Sequence, residues 1–173
     1  MAGMLAGLFG LMNVFARTLG GIFSDLFARN GGLKGRVRWL FIALICEGIA
    51  LVAFSQMHVL SYAIAIMLVF SLFVQMAEGA TYGVVPFINK KALGAVAGIV
   101  GAGGNVGAVA AAFLFRSEAI TYQQGLFYLG LIVLVLASCA LLVRFSDEVE
   151  AEEAEAYREA VGEDTGAGAL SLR

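Results

Sequence analysis

The stretch GIVGAGGNVGA, Gly98–Ala108, sets five glycines and one asparagine among small apolar residues. Glycine-rich runs cradle phosphate in two well-defined patterns, and this one fits neither. A dinucleotide fingerprint needs G-x-G-x-x-G, but after Gly101 and Gly103 the third glycine position holds Val106. A phosphate loop needs lysine after its last glycine, and Gly103 is followed by Gly104. No strand pattern precedes the run. As a membrane helix the same residues make sense. Gly94, Gly98 and Gly101 recur at i, i+4, i+7 and form a groove that a neighbouring helix can approach closely. Gly103, Gly104 and Gly107 widen that thin surface. Asn105 adds an amide near mid-membrane, where an unpaired polar group is costly, so it bonds either a neighbouring helix or a ligand.

Composition agrees with the helical reading. Of 173 residues, 61% are hydrophobic and only 14% charged, with a single proline. A soluble domain carries about a quarter charged residues, so a polytopic membrane protein is indicated. The formal net charge of −2 conceals an asymmetry. Residues 1–146 hold nine Lys/Arg against four Asp/Glu, whereas residues 147–173 hold two against nine. A basic, apolar body with an acidic tail speaks to topology and not to nucleic acid. Cys46 and Cys139 lie far apart within apolar runs and read as packing residues. The start lacks the basic leading region of a signal peptide and reads as a spanning helix.

Crossing a bilayer takes about 20 mostly apolar residues. Five segments qualify, at about 2–23, 37–57, 60–86, 92–115 and 124–145, and Pro86 closes the third. Arg29, Lys34, Arg36 and Arg38 lie between the first two, Lys90 and Lys91 between the third and fourth, and Arg144 at the end of the fifth. The remaining connections carry one basic residue, offset by Glu118. The positive-inside rule therefore predicts cytoplasmic basic loops and tail, an outer N-terminus, and Trp39 at the cytoplasmic interface. The tail, 147–173, is predicted to be a solvated helix that frays into disorder.

Three motifs carry a family resemblance. KKALGAVAGIVGAGGNVGAV resembles the glycine-rich second signature of the nitrate/nitrite porter family within the major facilitator superfamily. FARTLGGIFSDLFARNGG is similar to the segment in which that family's eighth helix runs into its cytoplasmic loop, and EGATYGVVPFI to the end of its tenth. The resemblance covers most of residues 1–146 in the family's order. It implies an all-α membrane fold of five transmembrane helices, corresponding to helices eight to twelve of a twelve-helix transporter. It also implies nitrate or nitrite as substrate, protons as a possible coupling ion, the lipid bilayer as solvent, and a missing N-terminal half. On that footing the chain alone is not expected to transport.

Arg17 is the sharpest physical signal. A guanidinium inside a spanning helix costs about 2.5–3.5 kcal/mol on insertion scales, so it faces a cavity or a partner. Its planar fork suits a flat oxyanion better than lysine does, and the resemblance places the substrate-contacting arginine there. The alternative is a structural ion pair with Glu47 or Glu78. Tyr82 follows Glu78 by four residues on the same helix face, and the resemblance puts an anion-sandwiching aromatic at that place. Asn105, Gly103 and Gly104 complete the expected substrate-binding set; Asn13, one turn before Arg17, either lines the same cavity or bonds a helix. Glu78 and Glu47 are candidates for a proton or an ion pair.

Asp25, Gly21 and Arg29, with Arg36 beyond, resemble the superfamily's repeated loop motif and imply a gating role. Asp25 is expected to accept hydrogen bonds at the N-terminus of the fourth helix near Ala92. His58 falls in a short outer loop, and no nucleophile–base pair or metal constellation stands out, so neither an enzyme nor a cofactor is indicated. A plasma-membrane nitrate transporter working by alternating access is the leading expectation. A transporter of another small anion and a non-transporting membrane scaffold are its rivals.

Overall fold

The computed structural model describes residues 2–116 and 118–170, with side chains throughout except at 2, 5, 6, 8, 9 and 159–170. Its elements are α1 (Ala2–Ser55), α2 (Leu60–Val84), α3 (Leu93–Arg116), α4 (Tyr122–Ala140) and α5 (Asp147–Leu170), with two single 3₁₀ turns between α2 and α3. Every regular element among the described residues is helical, as an all-α membrane protein requires. Among the described residues, four helices are long and apolar enough to cross a bilayer: Gly10–Ser55, Leu60–Phe87, Lys90–Arg116 and Tyr122–Ala140.

Two of the five expected spans are joined within α1, and the joint is Gly32. There φ is 55° and ψ is −144°, a backbone conformation that reverses the helix. In a straight helix residues 20 and 39 would stand about 28 Å apart. Instead the Trp39 indole donates to the Gly20 carbonyl at 3.0 Å, and its ring stacks on Phe23 at 4.9 Å between centroids. The two limbs therefore lie side by side. The segment expected to be an open loop is helical on both sides of this single hinge. Trp39 is 7% exposed, so the indole faces protein and not the lipid interface the sequence suggested. Replacing Gly32 by alanine is expected to cost about 1–3 kcal/mol, because a Cβ disfavours this φ/ψ. Gly31→Ala, in regular helix with only the Arg38 guanidinium near an added Cβ, at 4.0 Å, should be close to neutral when the two variants are compared by thermal melting.

The other boundaries follow local chemistry. Pro86 ends α2 at Val84 through the 3₁₀ turn Val85–Phe87. The Asn89 side chain accepts from the amides of Lys91 and Ala92 at 3.0 and 3.2 Å, and so caps the entry to α3. Thr121 and Gln124 form a reciprocal capping box that starts α4. Helix α4 stops at Ala140, short of the expected 145, because the chain tightens into i→i+3 turns that bring Phe145 onto the core. Helix α5 extends to Leu170, through the glycine-rich end expected to fray. Residues 171–173 of the expected tail lie outside the described residues.

The core joins the limbs of α1 to α2 and the end of α4. It is built from Ala16, Trp39, Leu40, Ala43, Met76, Ala77, Ala80, Val84 and Ala140. Small residues let backbones meet in a membrane, where dispersion and not water exclusion drives packing. A Cβ on Gly20 would collide with the Met76 carbonyl, and one on Gly130 would lie 3.1 Å from the Gly48 carbonyl oxygen. Helix α3 is different: none of its residues is buried.

Candidate functional site

Helix α1 meets α2 backbone to backbone at Gly79, where an added Cβ would run into the Arg17 carbonyl. This backbone contact sets the Arg17 side chain beside the next turn of α2. Arg17 forms an ion pair with Glu78 there. Its guanidinium carbon lies 5.7 Å from the centroid of the Tyr82 ring, within cation–π range. The Tyr82 hydroxyl in turn lies 4.0 Å from where a Cβ on Gly101 would sit, so α3 joins the group through a glycine. Arginine, carboxylate, aromatic face and a thin helix thus converge from three elements.

The cluster is not sealed. The side chains of Arg17 and Glu78 are 45% and 41% exposed, and Tyr82 is 41% exposed. A half-open guanidinium can exchange its carboxylate partner for a diffusible planar anion while keeping the tyrosine ring on one side.

Of the other sequence candidates, Glu47 takes no part in the Arg17 pair; among the two carboxylates weighed, Glu78 is the partner. Gly103, Gly104, Asn105 and Gly107 stand on the exposed surface of α3, and Gly101 is the glycine that reaches the cluster. Nothing lies within 4 Å of a Cβ placed at Gly94, Gly98, Gly103, Gly104 or Gly107, so this chain leaves that groove unfilled.

Asp25 departs from expectation. It pairs with Arg36 at 2.5 Å, while the amides before α3 that it was expected to bind are taken by Asn89. A guanidinium eleven residues away across the Gly32 turn outcompetes neutral amides for a carboxylate. Gly21 has open space around it, and the glycine required for close packing is its neighbour Gly20. Arg29 lines a groove with Glu150, Glu153 and Tyr157 of α5.

Arg36, read in the sequence only as a member of the loop motif, is the centre of a charge network whose partners the sequence did not name. Besides Asp25 it binds Glu153 at 3.1 Å, and its guanidinium carbon sits 5.1 Å from the Phe87 ring centroid. Lys34 pairs with Glu150 at 3.2 Å and Lys90 with Glu152 at 2.6 Å. The acidic helix α5 therefore binds the chain's own basic turns. Only the charge asymmetry between body and tail could have signalled this.

The Glu152 carboxyl is held below its ordinary value, first by the hydrogen bond from Lys90 and then by the ammonium charge. A lowered folded-state pKa makes this contact complete above the ordinary carboxylate value and lost as pH falls through the lowered one. A spin-label distance between positions 88 and 156 should be short at neutral pH and lengthen on acidification to below the ordinary carboxylate range. Lys90→Gln should lengthen that distance at neutral pH and weaken its pH dependence, leaving the part carried by Lys34–Glu150 and Arg36–Glu153.

Apolar helices long enough to span a bilayer, with a half-exposed arginine between two of them, define an integral membrane protein of several spans. The comparisons are more specific. The chain is 42% identical over 145 residues to a high affinity nitrate transporter of Arabidopsis thaliana, covering 83% of this chain and 29% of that protein. It is 42% identical over 127 residues to a nitrate transporter of Chlamydomonas reinhardtii, covering 73% and 25%. An elsinochrome transporter of Elsinoe fawcettii is 33% identical over 144 residues, covering 80% and 28%. No family model and no solved structure matches. The chain belongs to the nitrate/nitrite porter family, and it spans less than a third of the length of the curated relatives it matches.

Proposed function

We propose that this chain forms most of the C-terminal half of a nitrate transporter, in which Arg17 and Tyr82 hold the anion. The observation that carries the reading is the Arg17–Glu78–Tyr82 cluster, half open and bordered by Gly101. Nitrate is flat and delocalised. Two parallel N–H donors from one guanidinium match two of its oxygens, and an aromatic face stacks on its plane. Glu78 competes with the anion for Arg17, so arrival of substrate frees a carboxylate that is then available to a coupling proton. The exposed glycine face of α3, with Gly103, Gly104 and Asn105, receives a helix from the missing N-terminal half, completing a midplane site.

On this reading Asp25, Arg36 and Arg29, with Gly21 in the same motif, form the cytoplasmic gate, and Gly32 is its hinge. The basic turns and α5 face the cytoplasm, and the N-terminus lies outside. The membrane is the plasma membrane.

The test is uptake of nitrate by the full-length protein in a host lacking nitrate transport. Saturable nitrate uptake, unaffected by excess chloride, supports the proposal. The elsinochrome-transporter relative favours a second reading, transport of an organic molecule. Absence of nitrate flux together with transport of elsinochrome would establish that reading instead.

A further inference from the structure

We propose a second binding site, for the headgroup of an anionic phospholipid, in the cavity between the start of the second limb of α1 and the end of α4. The cavity has a volume of about 440 Å³. Lys34, Arg38 and Arg144 supply its cations, Asp147 and Glu150 its carboxylates, and Val37, Leu141, Val143 and Phe145 its apolar wall. Glu150 is already engaged by Lys34. Among the described residues neither Arg38 nor Arg144 has an ion-pair partner, and both are exposed.

Position fixes the kind of anion. Helix α4 ends at Ala140 and the second limb begins after Gly32, so the cavity lies where two apolar helices leave the hydrocarbon. Leu141, 52% exposed, lines the cavity with the two unpaired arginines, and Leu142, next in the chain, is 76% exposed. A ligand held here meets guanidinium groups at one end and exposed leucines at the other. That is the polarity of a phospholipid: a phosphate that accepts from both arginines, and acyl chains along α4. Basic pockets between spanning helices on the positive side of a membrane capture such headgroups. The site stands apart from Arg17 and holds whatever the transported substrate is.

The experiment uses the full-length protein in detergent, read by melting temperature and by native mass spectrometry of retained lipid. Phosphatidylglycerol should raise the melting temperature by about 3–6 °C, with phosphatidylcholine and inorganic phosphate giving no rise. The Arg38→Gln/Arg144→Gln variant should lose the rise and the retained lipid. The Lys91→Gln/Arg116→Gln variant, which removes the same charge at two residues outside the cavity that make no ion pair among the described residues, should keep both. An equal rise with inorganic phosphate would make this a soluble-anion site and overturn the lipid assignment. Equal loss in the two double variants, or an equal rise with phosphatidylcholine, would overturn the site itself.

Discussion

Arg17→Gln in the full-length transporter is expected to cut nitrate uptake at limiting substrate by about 10- to 100-fold. A hydrogen bond to a charged group contributes about 1.5–3 kcal/mol, and each 1.4 kcal/mol is a factor of ten in affinity. Arg17→Lys should fall between, since lysine keeps the charge and loses the paired donors. Glutamine also strands the Glu78 carboxylate, which now has the Arg17 guanidinium as its partner. The Arg17→Gln/Glu78→Gln double variant removes that complication. If Arg17 serves the anion, the double variant regains thermal stability and stays inactive, and nitrate no longer raises its melting temperature. Were uptake to return in the double variant, Arg17 would be only the counter-ion of Glu78.

Gly79→Val should be the most damaging substitution to the fold. The Arg17 carbonyl occupies the space a Cβ would need, and both atoms belong to rigid helical backbone. Relief requires α1 and α2 to separate along a contact that also includes Gly20 and Met76. Overpacking of this kind costs about 1–3 kcal/mol, and more where backbone cannot yield. The expected result is a sharply lowered melting temperature and poor membrane yield. Gly98→Ala is the informative partner, because nothing in this chain lies near that position. It should leave this chain unaffected and weaken the full-length protein, where another helix fills the groove. An undiminished full-length Gly98→Ala would mean that the glycine face of α3 meets lipid.

Much of the site could be read along the chain, because a charge in a membrane helix is costly wherever it is placed. Arg17 and Glu78 stood out on that ground and Tyr82 through the family resemblance, and the structure brings all three together. Which carboxylate pairs with Arg17 was not legible. Glu47 and Glu78 are equivalent as residue types, and the choice rests on the crossing of α1 and α2 at Gly79. Asp25 was recognised as a motif residue, but its partner Arg36 depends on how the chain turns at Gly32. The binding of α5 was equally hidden. Opposite net charges favour contact without naming partners, and the pairs Lys34–Glu150, Arg36–Glu153 and Lys90–Glu152 exist only once the turns are folded.

The sequence by itself determined an all-α membrane protein, its apolar helices, and the residues too expensive to place in lipid without a purpose. Those properties are sums over local composition, and length against bilayer thickness settles them. Only the tertiary structure decided that the first two spans form one hairpin about Gly32, that Trp39 faces inward, and that Gly20 and Gly79 are the glycines that cannot change. The physical reason is that close approach belongs to a pair of helices. A glycine stretch announces that a backbone can be approached, but which glycine is needed depends on the carbonyl that arrives opposite it.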